Sequence, residues 1–277
     1  MENSQPGKYT RNEILSQPKI WASELSRIES EKRIELPRPE EFDQILFTGC
    51  GSPFFLSRWA ARECELFIKV ISRAVPASDL LLEPGAWVHD HQKTLLVASS
   101  RSAHTTETIR AVQEFQQNGG KSLVVTCYPE NELSKLTPHV VALPEGQEES
   151  VAQTRSFTSM MLGIASWLNG GVPRGFPASL EAAGSRLIDR YSELAARLGM
   201  YQSIQRFFFL GSGARYGLAN ELMLKMKEMS LSYSESFHFL EFRHGPMSMV
   251  DGSSLVIGLL NGSDNNYELD LLRDMKK

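Results

Sequence analysis

Short, wholly apolar runs recur along this chain with helix-length stretches between them, and that alternation restricts its fold more than any other feature. Gln44-Ile45-Leu46-Phe47-Thr48, Thr94-Leu95-Leu96-Val97-Ala98, Lys121-Ser122-Leu123-Val124-Val125-Thr126 and Val140-Val141-Ala142-Leu143 are too short for helices and lack the polar alternation of a half-exposed strand. Helical patterns cover Phe54 to Ala74, a stretch from about Thr106, and Thr154 to Leu168. Strands that are apolar on both faces and joined by helices predict a parallel sheet covered on each side. The expectation is an α/β fold, a three-layer αβα sandwich whose ligands bind at the carboxyl ends of the strands.

The pattern then stops and begins again. Gly170-Gly171-Val172-Pro173 and Gly175-Phe176-Pro177 break it, and Ala178 to Leu198 is a charged connecting helix. Arg206-Phe207-Phe208-Phe209-Leu210 is a new strand, Gly211-Ser212-Gly213 a turn, and Ala214 to Leu231 a helix. This order repeats Gly49-Cys50-Gly51-Ser52 after the first strand, so two tandem units are expected. Their predicted bounds are 42–198 and 199–277, after an N-terminal helical arm over 1–41. The second unit reads as incomplete: after Ser254-Leu255-Val256-Ile257-Gly258-Leu259-Leu260 and a helix from Tyr267 to Lys277, another strand would be expected. Tyr9 to Leu36, interrupted by Pro18 and closed by Pro37 and Pro39, reads as one or two helices. They either pack on the body or a partner subunit, or form an ordinary surface helix.

Composition narrows the function classes. The 277 residues carry a net charge of -4, and no basic arm offers an electrostatic footprint for nucleic acid. No apolar stretch approaches the roughly 18 residues that span a bilayer. The first residues, Met1-Glu2-Asn3-Ser4-Gln5, lack the regions of a signal peptide, so no membrane partner and a cytoplasmic location are expected. Cys50, Cys64 and Cys127 are odd in number and unpaired in spacing, which favours free thiols. His89 and His91 lie in a polar loop without a third ligand, and His139 and His238 read as surface or packing residues; no metal site is predicted.

Two stretches carry chemistry. Ser99-Ser100-Arg101-Ser102-Ala103-His104-Thr105-Thr106 follows the second apolar run and precedes a helix. Hydroxyls and unpaired backbone N–H groups at a helix N-terminus hold anions, aided by the helix dipole. A plain N-cap and Ser/Thr turn would leave the same trace. The nucleotide-binding glycine patterns are not formed. The second stretch is Ala214 to Leu231, where Glu221, Lys225 and Glu228 fall at i, i+4 and i+7, placing an ammonium between two carboxylates on one helix face. An exposed salt-bridged stripe is the plainer explanation. His244-Gly245-Pro246 follows on a loop.

Taken in order, Cys50-Gly51-Ser52, Ser100-x-Ser102-x-x-Thr105, Glu148 and Val151 before a helix, Lys225-x-x-Glu228, and Phe242-Arg243-His244-Gly245-Pro246 resemble the sugar isomerase (SIS) family. The resemblance is to the isomerase half of glutamine–fructose-6-phosphate aminotransferase and to the tagatose-6-phosphate isomerase and galactosamine-6-phosphate deaminase group. It implies that Ser100, Ser102 and Thr105 hold a phosphate, with Gly51, Ser52, Arg101, Glu148 and Val151 contacting the phosphate or sugar. Glu228 would then move a proton between C1 and C2, His244 open the sugar ring, and Lys225 support Glu228 or the substrate oxygens. A homodimer is also implied. Ala103 stands where the family usually has glycine, and Arg155 is expected near the pocket as a further phosphate contact or closure.

The chemistry suits those roles. One carboxylate can serve both carbons of an enediol-type intermediate, and an imidazole can donate and accept near neutrality. Neither step requires a metal or an organic cofactor. The resulting expectation is an aldose–ketose isomerase or deaminase of hexosamine 6-phosphates. The alternatives are a non-catalytic phosphosugar-binding regulator and a fructosamine-6-phosphate deglycase.

Overall fold

The computed structural model describes residues 6–30, 35–172, 176–262 and 266–276, without the side chains of 176–178. The break at Pro173 to Gly175, the residue Lys277, and part of the proposed N-terminal stretch therefore lie outside the described residues. The chain divides into two compact units, 1–190 and 191–277.

In the first unit, β1 (Gln44–Gly49), β2 (Ile71–Pro76), β3 (Thr94–Ser99), β4 (Lys121–Thr126) and β5 (Val140–Ala142) form one sheet in the order β2-β1-β3-β4-β5. Every pairing is parallel, with Thr48 opposite Ala98 and Ala98 opposite Val124. The pleat sends Leu46, Leu96, Ala98 and Val124 to one face, where they meet α3 (Ala77–Leu82) and α5 (Thr106–Gln117) in a core that includes Leu80, Ile109, Val112 and Phe115. A short helix, α4 (Pro84–Trp87), follows α3. Phe47 points the other way and meets Trp167 edge-on at 6.3 Å. Trp167 lies on α6 (Arg155–Leu168), which shares that face with α2 (Ser52–Phe67). This is the expected sandwich, helices on both sides of a parallel sheet.

The apolar runs end up where their composition requires, since β3 is buried at every position. The edges were less legible. Phe54 to Ala74 was expected to be one helix, but α2 stops at Phe67 because Lys69 adopts a left-handed φ of 67°. The amides of Ile68 and Lys69 both donate to Cys64 O, which closes the last turn, and the chain then leaves as the edge strand β2.

The N-terminal stretch is a single helix, α1 (Lys8–Ser30), running through Pro18. Proline has no N–H to offer Ile14 O, and the Gln17 side-chain amide donates to that carbonyl at 3.3 Å instead. α1 packs against α6, and Gly184 is what permits a further close approach, since a Cβ there would lie 2.7 Å from the Trp21 ring. Two carboxylates on α1 are buried, Glu13 and Glu24. Glu24 accepts from Glu145 N at 2.8 Å and pairs with Arg27 at 2.9 Å.

Burial raises the Glu24 carboxyl above its ordinary value, with Arg27 pulling the other way. A raised folded-state value contributes stability that is present below about pH 4.5, the unfolded value, and is lost as pH rises through the folded one. Glu24→Gln lacks this titration. The stability of the parent relative to Glu24→Gln is therefore expected to fall as pH is raised from below 4.5 to neutrality, measured as the difference in unfolding midpoint. A flat or rising difference would contradict the burial account.

The second unit has a smaller parallel sheet, β7-β6-β8, from β6 (Arg206–Gly211), β7 (Tyr233–His238) and β8 (Ser254–Leu259). α7 (Phe176–Met200) contains the boundary between units, and α8 (Ala214–Ser230) and α9 (Tyr267–Asp274) complete the set. Its core is Phe208, Leu210, Phe239, Phe242 and Leu271. β7 was not anticipated from sequence because its inward positions are hydroxyls: Ser234 Oγ donates to Met223 O at 2.8 Å, and Ser236 Oγ accepts from Asn220 at 2.7 Å.

Candidate functional site

Two glycines shape the entry to the first unit's candidate site. A Cβ on Gly49 would stand 2.6 Å from Pro53 Cβ and 2.9 Å from Ser99 O, so the start of α2 and the end of β3 approach as bare backbone. Gly51 caps α2 at φ 63° and ψ -128°, a conformation that favours glycine. Ser52 is thereby delivered, buried, to the strand end next to the Ser100 loop.

That loop is held from behind. Ser100 N donates to Val125 O at 3.1 Å, and Arg101 O accepts from Thr126 Oγ1 at 3.0 Å and Cys127 N at 3.2 Å. Ser102 O accepts from Asn131 Nδ2 at 2.8 Å. Ala103 is buried and left-handed at φ 54°, an uncommon geometry for a residue with a side chain. Three hydroxyls belong to this loop: buried Ser100 Oγ and Thr105 Oγ1 are 3.2 Å apart, and Ser102 Oγ accepts from His104 N at 3.3 Å. Thr105 caps α5 without using its own side chain, so its hydroxyl and the first amides of that helix face the same end of the sheet.

Arg101 ties this loop to the next. Its guanidinium donates to Ser150 O at 3.0 Å and Val151 O at 3.1 Å, and lies 3.5 Å from Glu148. The Glu148 side chain is wholly buried and serves the start of α6, accepting from Thr154 N at 2.7 Å, from Thr154 Oγ1 at 2.8 Å and from Ser156 Oγ. Val151 stands exposed beside them. Gly51, Ser52, Ser100, Arg101, Ser102, Thr105, Glu148 and Val151 thus all belong to the carboxyl end of this sheet. Arg155, expected near the pocket, donates to Gln147 O and to Ser16 Oγ, pinning the loop to α1.

In the second unit, α8 brings its three charged side chains together as the helical spacing requires. Lys225 Nζ is 3.1 Å from Glu221 and 2.6 Å from Glu228. The gradient of burial matters. Side-chain exposure runs from 7% at Glu221 through 14% at Lys225 to 38% at Glu228, so the inner carboxylate anchors the ammonium and the outer one stays open to solvent. His244 comes from the loop after β7, ending a 3-10 turn, Leu240–Arg243, with its amide on Glu241 O. Phe239 and Phe242 root that turn in the core, Arg243 pairs with Asp274 at 3.0 Å, and Gly245 turns the chain at φ 125°.

The remaining candidates are accounted for by packing. All three cysteines are free thiols, and burial raises each of them, which disfavours a thiolate nucleophile. His91 packs on Phe115 at 5.2 Å, and His238 stacks on Tyr216 at 3.7 Å. Among the described residues no group of three or more His, Cys, Asp or Glu could hold a metal ion. Likewise, none of their helices is long and apolar enough to cross a membrane. Sequence reading missed Glu13 of α1, whose carboxylate holds the loop that meets Arg101. Its partners lie well over a hundred positions away, and nothing local signals them.

A duplicated strand, glycine turn and helix, with a hydroxyl loop on the first copy and a Lys/Glu helix on the second, defines a class. The chain belongs to the SIS domain family, which matches residues 41–167 and again 200–276. It is 26% identical to glutamine–fructose-6-phosphate aminotransferase of Helicobacter pylori, over 80% of this chain but only 39% of that protein's length. It is also 26% identical to the D-galactosamine-6-phosphate deaminase AgaS of Escherichia coli O157:H7, over 98% of this chain and 75% of that one. Among solved structures, tagatose-6-phosphate ketose/aldose isomerase from Escherichia coli superposes with a TM-score of 0.85 at 25% identity, covering 99% of this chain and 81% of the other.

Proposed function

We propose that this chain is an aldose–ketose isomerase or deaminase acting on hexosamine 6-phosphates. The observation that carries the proposal is Glu228, held at 2.6 Å by Lys225 yet 38% exposed, an oriented and accessible carboxylate. In the reaction proposed, Ser100, Ser102 and Thr105 bind the phosphate dianion through hydroxyls and the first amides of α5, with Ser52 and Gly51 beside them. His244 takes the proton of the anomeric hydroxyl and returns it to the ring oxygen, opening the sugar to its aldehyde. Glu228 removes the proton from C2, the C2–H electron pair forms the C1–C2 double bond of an enediol-type intermediate, and O1 takes the proton given up by the hydroxyl or ammonium on C2. The same carboxyl then delivers a proton to C1. With an amine at C2, the carbonyl equivalent formed there is an imine; water adds, ammonia leaves, and the product is the ketose phosphate. Lys225, 2.6 Å away, keeps Glu228 aimed between turnovers. A homodimer, implied by the resemblance, is part of the proposal and is read by sedimentation.

The AgaS and tagatose-6-phosphate isomerase relatives support this substrate class. The direct test is a screen of glucosamine, galactosamine and fructosamine 6-phosphates for ammonia release and ketose formation. Turnover of one supports the proposal, with fructosamine 6-phosphate alone indicating a deglycase. Binding without turnover of any would leave a phosphosugar-binding regulator. Ser102→Ala is expected to weaken a phosphorylated sugar about tenfold, roughly 1.4 kcal/mol, and to leave the unphosphorylated sugar unchanged in calorimetry. Equal affinity for the phosphorylated sugar in parent and variant would remove Ser102 from the phosphate grip.

A further inference from the structure

The buried carboxylate of Glu13 is 3% exposed and lies on α1, an element to which nothing above assigns a ligand-related role. Glu13 Oε1 accepts from Glu149 N at 2.7 Å and from Ser150 N at 3.1 Å, and Oε2 accepts from Ser150 Oγ. The same Ser150 presents its carbonyl to Arg101, and so does Val151. Arg101 in turn is part of the hydroxyl loop, whose backbone is fixed by Thr126 and Cys127. One continuous series of hydrogen bonds therefore runs from α1 through the 148–151 loop to the hydroxyl loop.

We propose that Glu13 is a positioning residue that sets the affinity of the hydroxyl loop for phosphosugars, by holding Ser150 and Val151 where Arg101 can latch onto their carbonyls. This rests on the assignment of Ser100–Thr105 and Val151 to ligand binding made above. The physical reason is that a loop carbonyl can be placed only if the amides next to it are fixed. Two successive backbone N–H groups on one carboxylate oxygen fix a peptide in both position and orientation. Without that carboxylate, Ser150 and Val151 would sample several positions, Arg101 would be released toward Glu148 alone, and ordering the pair would be charged to ligand binding.

Glu24 provides the internal control. It lies on the same helix, is as deeply buried, and binds an amide of the same connection, Glu145 N at 2.8 Å. No hydrogen bond joins it or Glu145 to Arg101 among the described residues. A merely structural brace would make the two carboxylates equivalent. The positioning role makes them differ.

The test is calorimetric titration of the 277-residue chain with galactosamine 6-phosphate, alongside unfolding midpoints. Glu13→Ala is expected to weaken binding about tenfold, and Glu24→Ala by less than about twofold, whatever each does to the midpoint. Glu13→Gln keeps an oxygen for both amides and should restore affinity to within about threefold of the parent. Should Glu13→Ala fold poorly, Ser150→Ala, which removes only one hydroxyl, should weaken binding in the same direction by a smaller factor. Parent-like affinity in Glu13→Ala, or in Ser150→Ala where that stands in, overturns the proposal, as does an equal loss in Glu24→Ala. If the unsubstituted chain binds no phosphosugar at all, the proposed function falls and this inference with it.

Discussion

Glu228→Gln is expected to abolish solvent-deuterium exchange at C1 and C2 of a bound hexosamine 6-phosphate, a loss of roughly 10²–10⁴-fold, while leaving its affinity nearly unchanged. The two parts of this result have separate causes. Glutamine matches the shape of glutamate and can still accept a hydrogen bond, but it cannot take up and return a proton. The helix should tolerate the change, because Lys225 retains Glu221 at 3.1 Å on its buried side. Affinity is proposed to reside in the hydroxyl loop of the other unit, so binding reports on that loop and exchange reports on α8. Parent-like exchange in Glu228→Gln would remove this carboxyl from the chemistry, and a parallel collapse of binding would assign it to the grip instead.

Phe242→Ala should carry the largest cost in stability, about 3–5 kcal/mol by denaturant unfolding, as for other buried aromatic rings replaced by a methyl group. Phe242 is fully buried, with ring neighbours Phe237 at 5.3 Å and Phe208 at 5.6 Å, in the small core of the second unit. Phe239 and Gly258 close it on another side, so tightly that a Cβ on Gly258 would reach 2.4 Å from the Phe239 ring. Little can collapse into the space vacated. The consequence for function follows from position, since His244 is two residues further along, at the end of the turn that Phe242 roots in the core. On the roles proposed above for His244 and the hydroxyl loop, sugar-ring opening should therefore slow in the surviving folded fraction while phosphosugar affinity is kept. A change under about 1 kcal/mol would show that the ring is not the anchor of this loop.

The sequence was informative where burial was complete and uninformative where polar groups had been used as packing. β1, β3, β4 and β6 declared themselves because a strand covered on both faces has no use for polar residues. β2 and β7 did not. The first is an edge strand with exposed Ile71 and Arg73, and the second turns Ser234 toward a helix carbonyl where an apolar residue would have been diagnostic. On α8, the Glu221, Lys225 and Glu228 contacts could be read directly because helical spacing alone brings them together. The carboxylates of Glu13 and Glu24 were invisible for the opposite reason. Their acceptor roles exist only once the fold has brought distant backbone amides to them, and in sequence each is one more charge on an amphipathic helix.

The two glycine turns described above share more than position. Gly51 and Gly213 have nearly the same backbone, φ 63° and ψ -128° against φ 57° and ψ -129°. Yet Ser52 follows the first and Ala214 the second. Nearly the same bend thus occurs in both halves, while the first residue of the following helix carries a hydroxyl in one of them only. The glycine thus sets the direction of the chain while the residue after it sets what the helix start presents, so one backbone can carry different side-chain chemistry in each half.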